Sequence, residues 1–220
     1  MRSSRRNFRV GRIFACLALM AAAPALSGCP AIVTAMVERA YQDRPAAYQV
    51  SDVRIHGRIL AFLVSINAEL TFDVNTDVWL GRVLLTGTLG EKALREKIVE
   101  YARRDKRARA VYDHIRIVSR KAQEKRRRER GDKSTAQSIN DAWISAKVKV
   151  RLLASYEVKS VNYRWQTVLG RVYIIGTART RAERKLILRI LNRTKGIRGV
   201  TSYIGILKIR GARGNRSAAK

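Results

Sequence analysis

Apolar residues follow two rhythms along this chain. Over residues 141–153, Ile144, Val148 and Leu152 recur at i, i+4 and i+8, the spacing of one helix face. Val158 to Trp165 and Arg171 to Ile175 come next, rich in β-branched and aromatic residues and bounded by Gly170 and Gly176, which predicts two strands. Ala182, Leu186, Ile190 and Leu191 form another helical stripe, and Val200 to Ile209 then alternates apolar and polar as a third strand. The order helix, strand, strand, helix, strand predicts an α+β unit in which a three-stranded sheet has one face covered by two helices.

The same rhythm occurs twice. Gly81-Arg82-Val83-Leu84-Leu85-Thr86-Gly87-Thr88 reappears as Gly170-Arg171-Val172-Tyr173-Ile174-Ile175-Gly176-Thr177, an offset of 170 − 81 = 89. Without a gap, that offset also pairs Asp52 with Asp141, Ile55 with Ile144, Leu63 with Leu152, Ala93 with Ala182, Val111 with Val200, Ile115 with Ile204 and Ile117 with Ile206. A register kept over so long a stretch predicts two tandem small αββαβ modules, at residues 51–118 and 138–209. A basic linker at 119–137 separates them, and a basic tail at 210–220 follows.

The beginning of the chain reads as an export address. Arg2, Arg5, Arg6, Arg9 and Arg12 precede an apolar run from Ile13 to Leu26 that is too short for a permanent membrane span. Ser4-Arg5-Arg6-Asn7-Phe8 resembles the twin-arginine export motif, with Arg9 where an apolar residue is usual, so both export routes stay open. Leu26-Ser27-Gly28-Cys29 resembles the bacterial lipobox, in which the Cys sulfur receives a diacylglycerol and the Cys becomes the new N-terminus. That resemblance implies a cleaved signal at 1–28, lipidation at Cys29 and a tether at 29–50. Pro30, in place of an Asp, implies the outer membrane, with the protein facing the periplasm.

The repeated Gly-x-Val-x-Leu-x-Gly strand and the Gly199-Val200 pair before the last strand resemble the BON module (bacterial OsmY and nodulation). The first copy has Ala110-Val111 at that place. Two such modules behind a lipobox resemble the dual-BON family of periplasmic and outer-membrane lipoproteins. Asp43-Arg44 and Gln49-Val50-Ser51-Asp52 are similar to that family's lead-in to the first module. The resemblance implies contact with anionic phospholipid through the first helix of the second module, and a role in envelope integrity.

Charge narrows the partners. The 220 residues carry 46 Lys and Arg against 17 Asp and Glu, a formal charge of +29. Removing the signal would take five arginines and leave +24. Such an excess calls for a polyanion, and an exported protein meets anionic membrane rather than nucleic acid. The linker concentrates this charge in Lys121, Lys125, Arg126, Arg127, Arg128, Arg130 and Lys133. It reads either as a solvated helix or as a cationic strap for phosphate head groups, and the two are compatible.

The helix at 141–153 carries more apolar surface than a sheet-covering helix needs. At about 100° per residue, Trp143, Ala146, Val150 and Leu153 fall opposite the Ile144 stripe, with Lys147, Lys149 and Arg151 at the margins. The repeat places Arg54, Gly57, Ala61 and Val64 at the corresponding positions, so the outer stripe is expected to fade in the first module. Two occupants suit it: an anionic bilayer, which favours apolar groups flanked by cations, or a protein surface. The candidate lipid-binding residues are therefore Trp143, Ala146, Lys147, Val150, Arg151 and Leu153. The later helix adds a secondary basic patch of Arg181, Arg184, Lys185 and Arg189 around Leu188.

Catalytic patterns are missing. His56 and His114 lack a nearby acidic cluster and read as structural, His114 as an exposed strand residue. No phosphate-cradling loop, nucleophile elbow or metal-ligand spacing occurs, and Cys16 leaves with the signal. Neither an enzyme nor a cofactor or metal is expected. The rival to a phospholipid-binding lipoprotein is an envelope adaptor that meets proteins through the same stripe.

Overall fold

The computed structural model describes residues 41–132 and 136–207, and both modules lie in the compact unit Asp43–Lys220. In the first module, helix α1 (Ala46–Ile66) and a short turn of helix α2 (Leu70–Asp73) lead into β1 (Val74–Trp79) and β2 (Arg82–Leu89). Helix α3 (Lys92–Arg103) and strand β3 (Ala110–Ile117) complete it. Helix α4 (Arg120–Asp132) connects to the second module. There α5 (Ala136–Leu153), β4 (Tyr163–Val168), β5 (Arg171–Ala178), α6 (Arg181–Asn192) and β6 (Gly199–Ile206) repeat the order. Each sheet has the central strand antiparallel to the first and parallel to the last.

Period-two alternation sends strand residues to two different cores. In β2, Val83 and Leu85 face the helices with Ile55, Ile59 and Leu63 of α1, whereas Leu84 faces the other way. In β5, Val172 and Ile174 meet Ile144, Val148 and Leu152 of α5, whereas Tyr173 and Ile175 face away. These second faces meet each other. Trp79, Leu84, Val168, Tyr173 and Ile175 form one buried cluster, so the unit is four layers deep, helices outside and two sheets within.

Two contacts between the sheets join residues that are counterparts in the repeat. Gln166 Nε2 donates to Asp77 Oδ2 at 3.1 Å, and His114 Nε2 lies 2.6 Å from Tyr203 Oη, each pair 89 positions apart. When counterparts touch one another, a local twofold axis passes between them, as at an isologous dimer interface. Both points lie between the sheets, so the axis lies in that plane. A half-turn about it carries one outer helical layer to the opposite side of the molecule.

The repeated sequence signals have repeated physical causes. Each β-hairpin turns on two residues of positive φ, Leu80-Gly81 and Leu169-Gly170, the backbone of a tight two-residue turn. A helix carboxylate holds each turn: Asp52 accepts from the amides of Leu80 and Gly81 at 2.8 and 2.7 Å, and Asp141 from those of Leu169 and Gly170 at the same distances. The glycine ending each repeated motif admits another backbone. A Cβ on Gly87 would lie 2.0 Å from Asp73 O, and one on Gly176 would lie 2.3 Å from Asn162 O.

Three details differ from the sequence expectation. Strand β4 begins at Tyr163, because the chain from Val158 first makes a turn and a 3-10 segment, Ser160–Asn162. The buried face of α6 is Glu183, Ile187 and Leu191, while Ala182 is exposed. Its phase is set by Thr180, which accepts from the Glu183 amide, and by Glu183, whose carboxylate accepts from the amides of Lys159 and Arg179 at 2.9 and 2.7 Å. His114 is half-buried rather than exposed, since the face that an isolated module would show to water is covered by Tyr173 and Tyr203.

Candidate functional site: the outward face of helix α5

Helix α5 buries Ile144, Val148 and Leu152 completely. That fixes its rotation and turns the opposite side outward. Trp143 is 63%, Val150 65% and Leu153 59% exposed, and Ala146 and Lys147 lie open beside them. No described residue of the first module covers the indole. Ile139, one turn earlier, and Tyr156, in the turn after the helix, extend the apolar surface. Neither was singled out from sequence, because Ile139 precedes the repeat-matched stretch and Tyr156 is a lone aromatic in a turn.

The charge along the helix itself is almost all of one sign. The sole acid of α5, Asp141, is engaged by the Leu169-Gly170 turn. Lys147 and Lys149 are exposed on either side. Arg151 has a second duty: its Nη1 donates to Arg193 O at 3.0 Å and Thr194 Oγ1 at 3.3 Å, fastening α5 to the end of α6. Arg181, Arg184, Lys185 and Arg189 are exposed on α6, with Leu188 half-buried among them. Both elements belong to the same outer layer, so the two candidate patches lie on one module. Cys29 lies outside the described residues.

The first module departs from the expected fading. Arg54 and Ala61 do replace Trp143 and Val150, yet Val53, Leu60 and Val64 are 46%, 40% and 51% exposed on α1. The apolar surface there has shifted around the helix rather than vanished. Aligning single positions missed it, since Val53 corresponds to Ala142 and Leu60 to Lys149.

The linker is a helix drawn back onto its own module. Arg127 pairs with Asp73 at 2.8 Å and Glu69 at 3.3 Å, Arg126 Nη1 donates to Thr88 Oγ1 at 2.8 Å, and Arg120 pairs with Glu91 at 2.9 Å. These guanidiniums are held by protein partners, which weakens the strap reading for them. At the other edge, Asp43 and Arg44 clasp both modules. The Asp43 amide donates to Asn162 Oδ1 and Asn162 Nδ2 to Asp43 Oδ2, both at 2.9 Å, and Lys159 reaches the same carboxylate. Arg44 pairs with Asp52 and lies 4.3 Å over the Trp79 ring. Burial raises the Asp43 carboxyl, but the bonds from Lys159 and Asn162 outweigh it and hold the group below its ordinary value.

Between the sheets lie two titratable groups of the counterpart contacts, Asp77 and His114. Burial lifts the Asp77 carboxyl above its ordinary value, partly offset by the Gln166 hydrogen bond. Among the described residues no group of His, Cys, Asp or Glu could hold a metal, and no helix is long and apolar enough to cross a membrane.

The described residues thus form a tandem pair of three-stranded α+β modules with apolar and cationic side chains displayed outward. The BON domain model matches residues 51–119 and again 140–207. The chain belongs to the BON domain family. It is 33% identical over 150 residues to an uncharacterized protein in the gshII 5' region of Anaplasma centrale, covering 66% of this chain and 91% of that one. It is 25% identical over 173 residues to a 21 kDa hemolysin of Actinobacillus pleuropneumoniae, covering 77% and 81%. CdsD, a structural protein of the type III secretion system of Chlamydia trachomatis, aligns at a TM-score of 0.28 and 10% identity over 68% of this chain and 91% of that structure.

Proposed function

We propose that the protein is an outer-membrane lipoprotein facing the periplasm, acylated at Cys29, whose second module docks on anionic phospholipid through α5 and supports envelope integrity. One observation carries the docking: a folded, well-packed helix keeps Trp143, Val150 and Leu153 in water between lysines, with no free carboxylate on the helix. Transfer of such side chains to the acyl boundary contributes about 1–3 kcal/mol each, and cations near an anionic surface about 1 kcal/mol each. The cationic face of α6 supplies further attraction from the same module.

The test is binding to vesicles of phosphatidylglycerol and phosphatidylethanolamine, read by co-sedimentation. Trp143→Ala with Val150→Asp is expected to weaken binding by about tenfold or more, and added salt to weaken it further. Unchanged vesicle binding by that variant removes docking through α5 and leaves that stripe to a protein partner. Mass spectrometry of the exported chain tests acylation of Cys29, and an unmodified thiol there ends the lipoprotein reading.

A further inference from the structure

Among the described residues none covers the outward side of α1, and its charge says what suits it. At about 100° per residue, Val50, Val53, Gly57, Leu60, Ala61 and Val64 gather on the side opposite the buried Asp52, Ile55, Ile59 and Leu63. Arg54 and Arg58 border this stripe on one side and His56 on the other, all exposed. The only acid of α1, Asp52, is buried under the Leu80-Gly81 turn. Lys106 is exposed in the α3–β3 connection, where Asp105 meets Arg58 at 3.9 Å. A second copy of this chain would bring like charges together here, and a neutral protein surface would leave them unanswered. A layer of phosphates over an acyl interior answers both the cations and the apolar stripe.

We infer that the outward face of α1 is a second docking surface for an anionic phospholipid bilayer, turned away from the α5 face, so that one molecule can join two such surfaces. The opposed directions follow from the local twofold: its axis lies between the sheets, and the half-turn that superposes α1 on α5 reverses the outward direction. One flat bilayer cannot meet both faces of the same molecule. The joining of two bilayers rests on the α5 reading above, whereas docking by α1 does not.

The experiment uses residues 43–220, the compact unit that holds all three hydrophobic clusters, so that neither leader nor lipid contributes. The probe is vesicles of phosphatidylglycerol and phosphatidylethanolamine in donor-labelled and acceptor-labelled batches. Co-sedimentation reads binding, and energy transfer between batches reads clustering. The unaltered unit is expected to do both. Val53→Asp with Leu60→Asp is expected to keep binding through α5 and to cut clustering by about tenfold or more. Arg54→Glu with Arg58→Glu, which leaves the apolar stripe intact, is expected to act the same way, and circular dichroism confirms that each variant is folded.

Binding without clustering by the unaltered unit, when that binding is indifferent to Val53→Asp with Leu60→Asp, overturns the second surface and leaves the α5 reading standing. Undiminished clustering by both folded α1 variants overturns it as well. A dimer in sedimentation that dissociates on Val53→Asp with Leu60→Asp assigns the face to a second copy and also overturns it. Binding abolished by the α1 changes but indifferent to Trp143→Ala with Val150→Asp supports docking by α1 and overturns the α5 reading instead.

Discussion

The two modules are copies of one plan that differ where they meet. At the end of the first strand, module one has Trp79 and module two has Val168. The indole is 1% exposed, its Nε1 donates to Thr177 Oγ1 across the interface at 2.8 Å, and Arg44 covers its ring. Module one also sends Arg82 across, donating to Tyr203 O at 2.9 Å and Gly176 O at 2.8 Å. Duplication supplied a nearly symmetric interface whose large side chains differ between the halves, Trp79 coming from module one and Tyr173 from module two. The largest expected effect follows. Trp79→Ala should destabilise by about 3–5 kcal/mol in urea unfolding, and Val168→Ala by about 2 kcal/mol. Equal losses would show that the interface shares its stability evenly.

The second contrast lies in the turn-holding carboxylates. Asp52 and Asp141 hold their hairpins with matching bonds, but Asp52 is buried and also pairs with Arg44, whereas Asp141 is half-buried and accepts from Gln137 at 3.0 Å. Each removal leaves a positive-φ turn without its acceptor. Asp52→Ala should cost on the order of 3 kcal/mol and Asp141→Ala about 2 kcal/mol, measured by the same unfolding. Asparagine at either position should recover part of the loss, because its side-chain oxygen still accepts. A larger loss at Asp141 would assign little weight to the Arg44 clasp.

Most of this architecture was legible in the chain, and the parts that were not share a cause. The 89-residue offset yielded two αββαβ modules because packing fixes every third or fourth helix position and every second strand position. The outer stripe of α5 was legible for the same reason, since two faces of one helix separate cleanly in angle. What sequence could not supply was the relation between the modules. His114 looked exposed because only the partner sheet, a property of tertiary assembly, covers it. The stripe of α1 was missed because comparison by fixed offset asks about identical positions, whereas an apolar face can drift one residue around a helix and remain a face. Arg151 looked like a free cation for the same reason: its partners, Arg193 and Thr194, follow it by some forty residues.

The smallest expected effect separates the interface from the cores through pH. His114 sits between Tyr203 and Tyr173, with Asp113 beside it and the charges of Arg171 and Arg95 near. Burial lowers its pKa below the ordinary 6.5, the two arginines add to this, and Asp113 opposes it. A histidine depressed in the folded state takes its proton first when unfolded. Stability is therefore undiminished by this group above pH 6.5 and falls as pH drops through 6.5 toward the folded value. His114→Gln, which keeps a polar partner for Tyr203, should flatten that part of the stability–pH curve. The Tyr203 hydroxyl bonds the His114 ring across the interface, so Tyr203→Phe should lower stability at neutral pH while leaving most of the acid slope in place. Should the slope survive His114→Gln instead, the acid sensitivity belongs to the carboxylates. Asp43, held below its ordinary value by Lys159 and Asn162, is then the group to replace next.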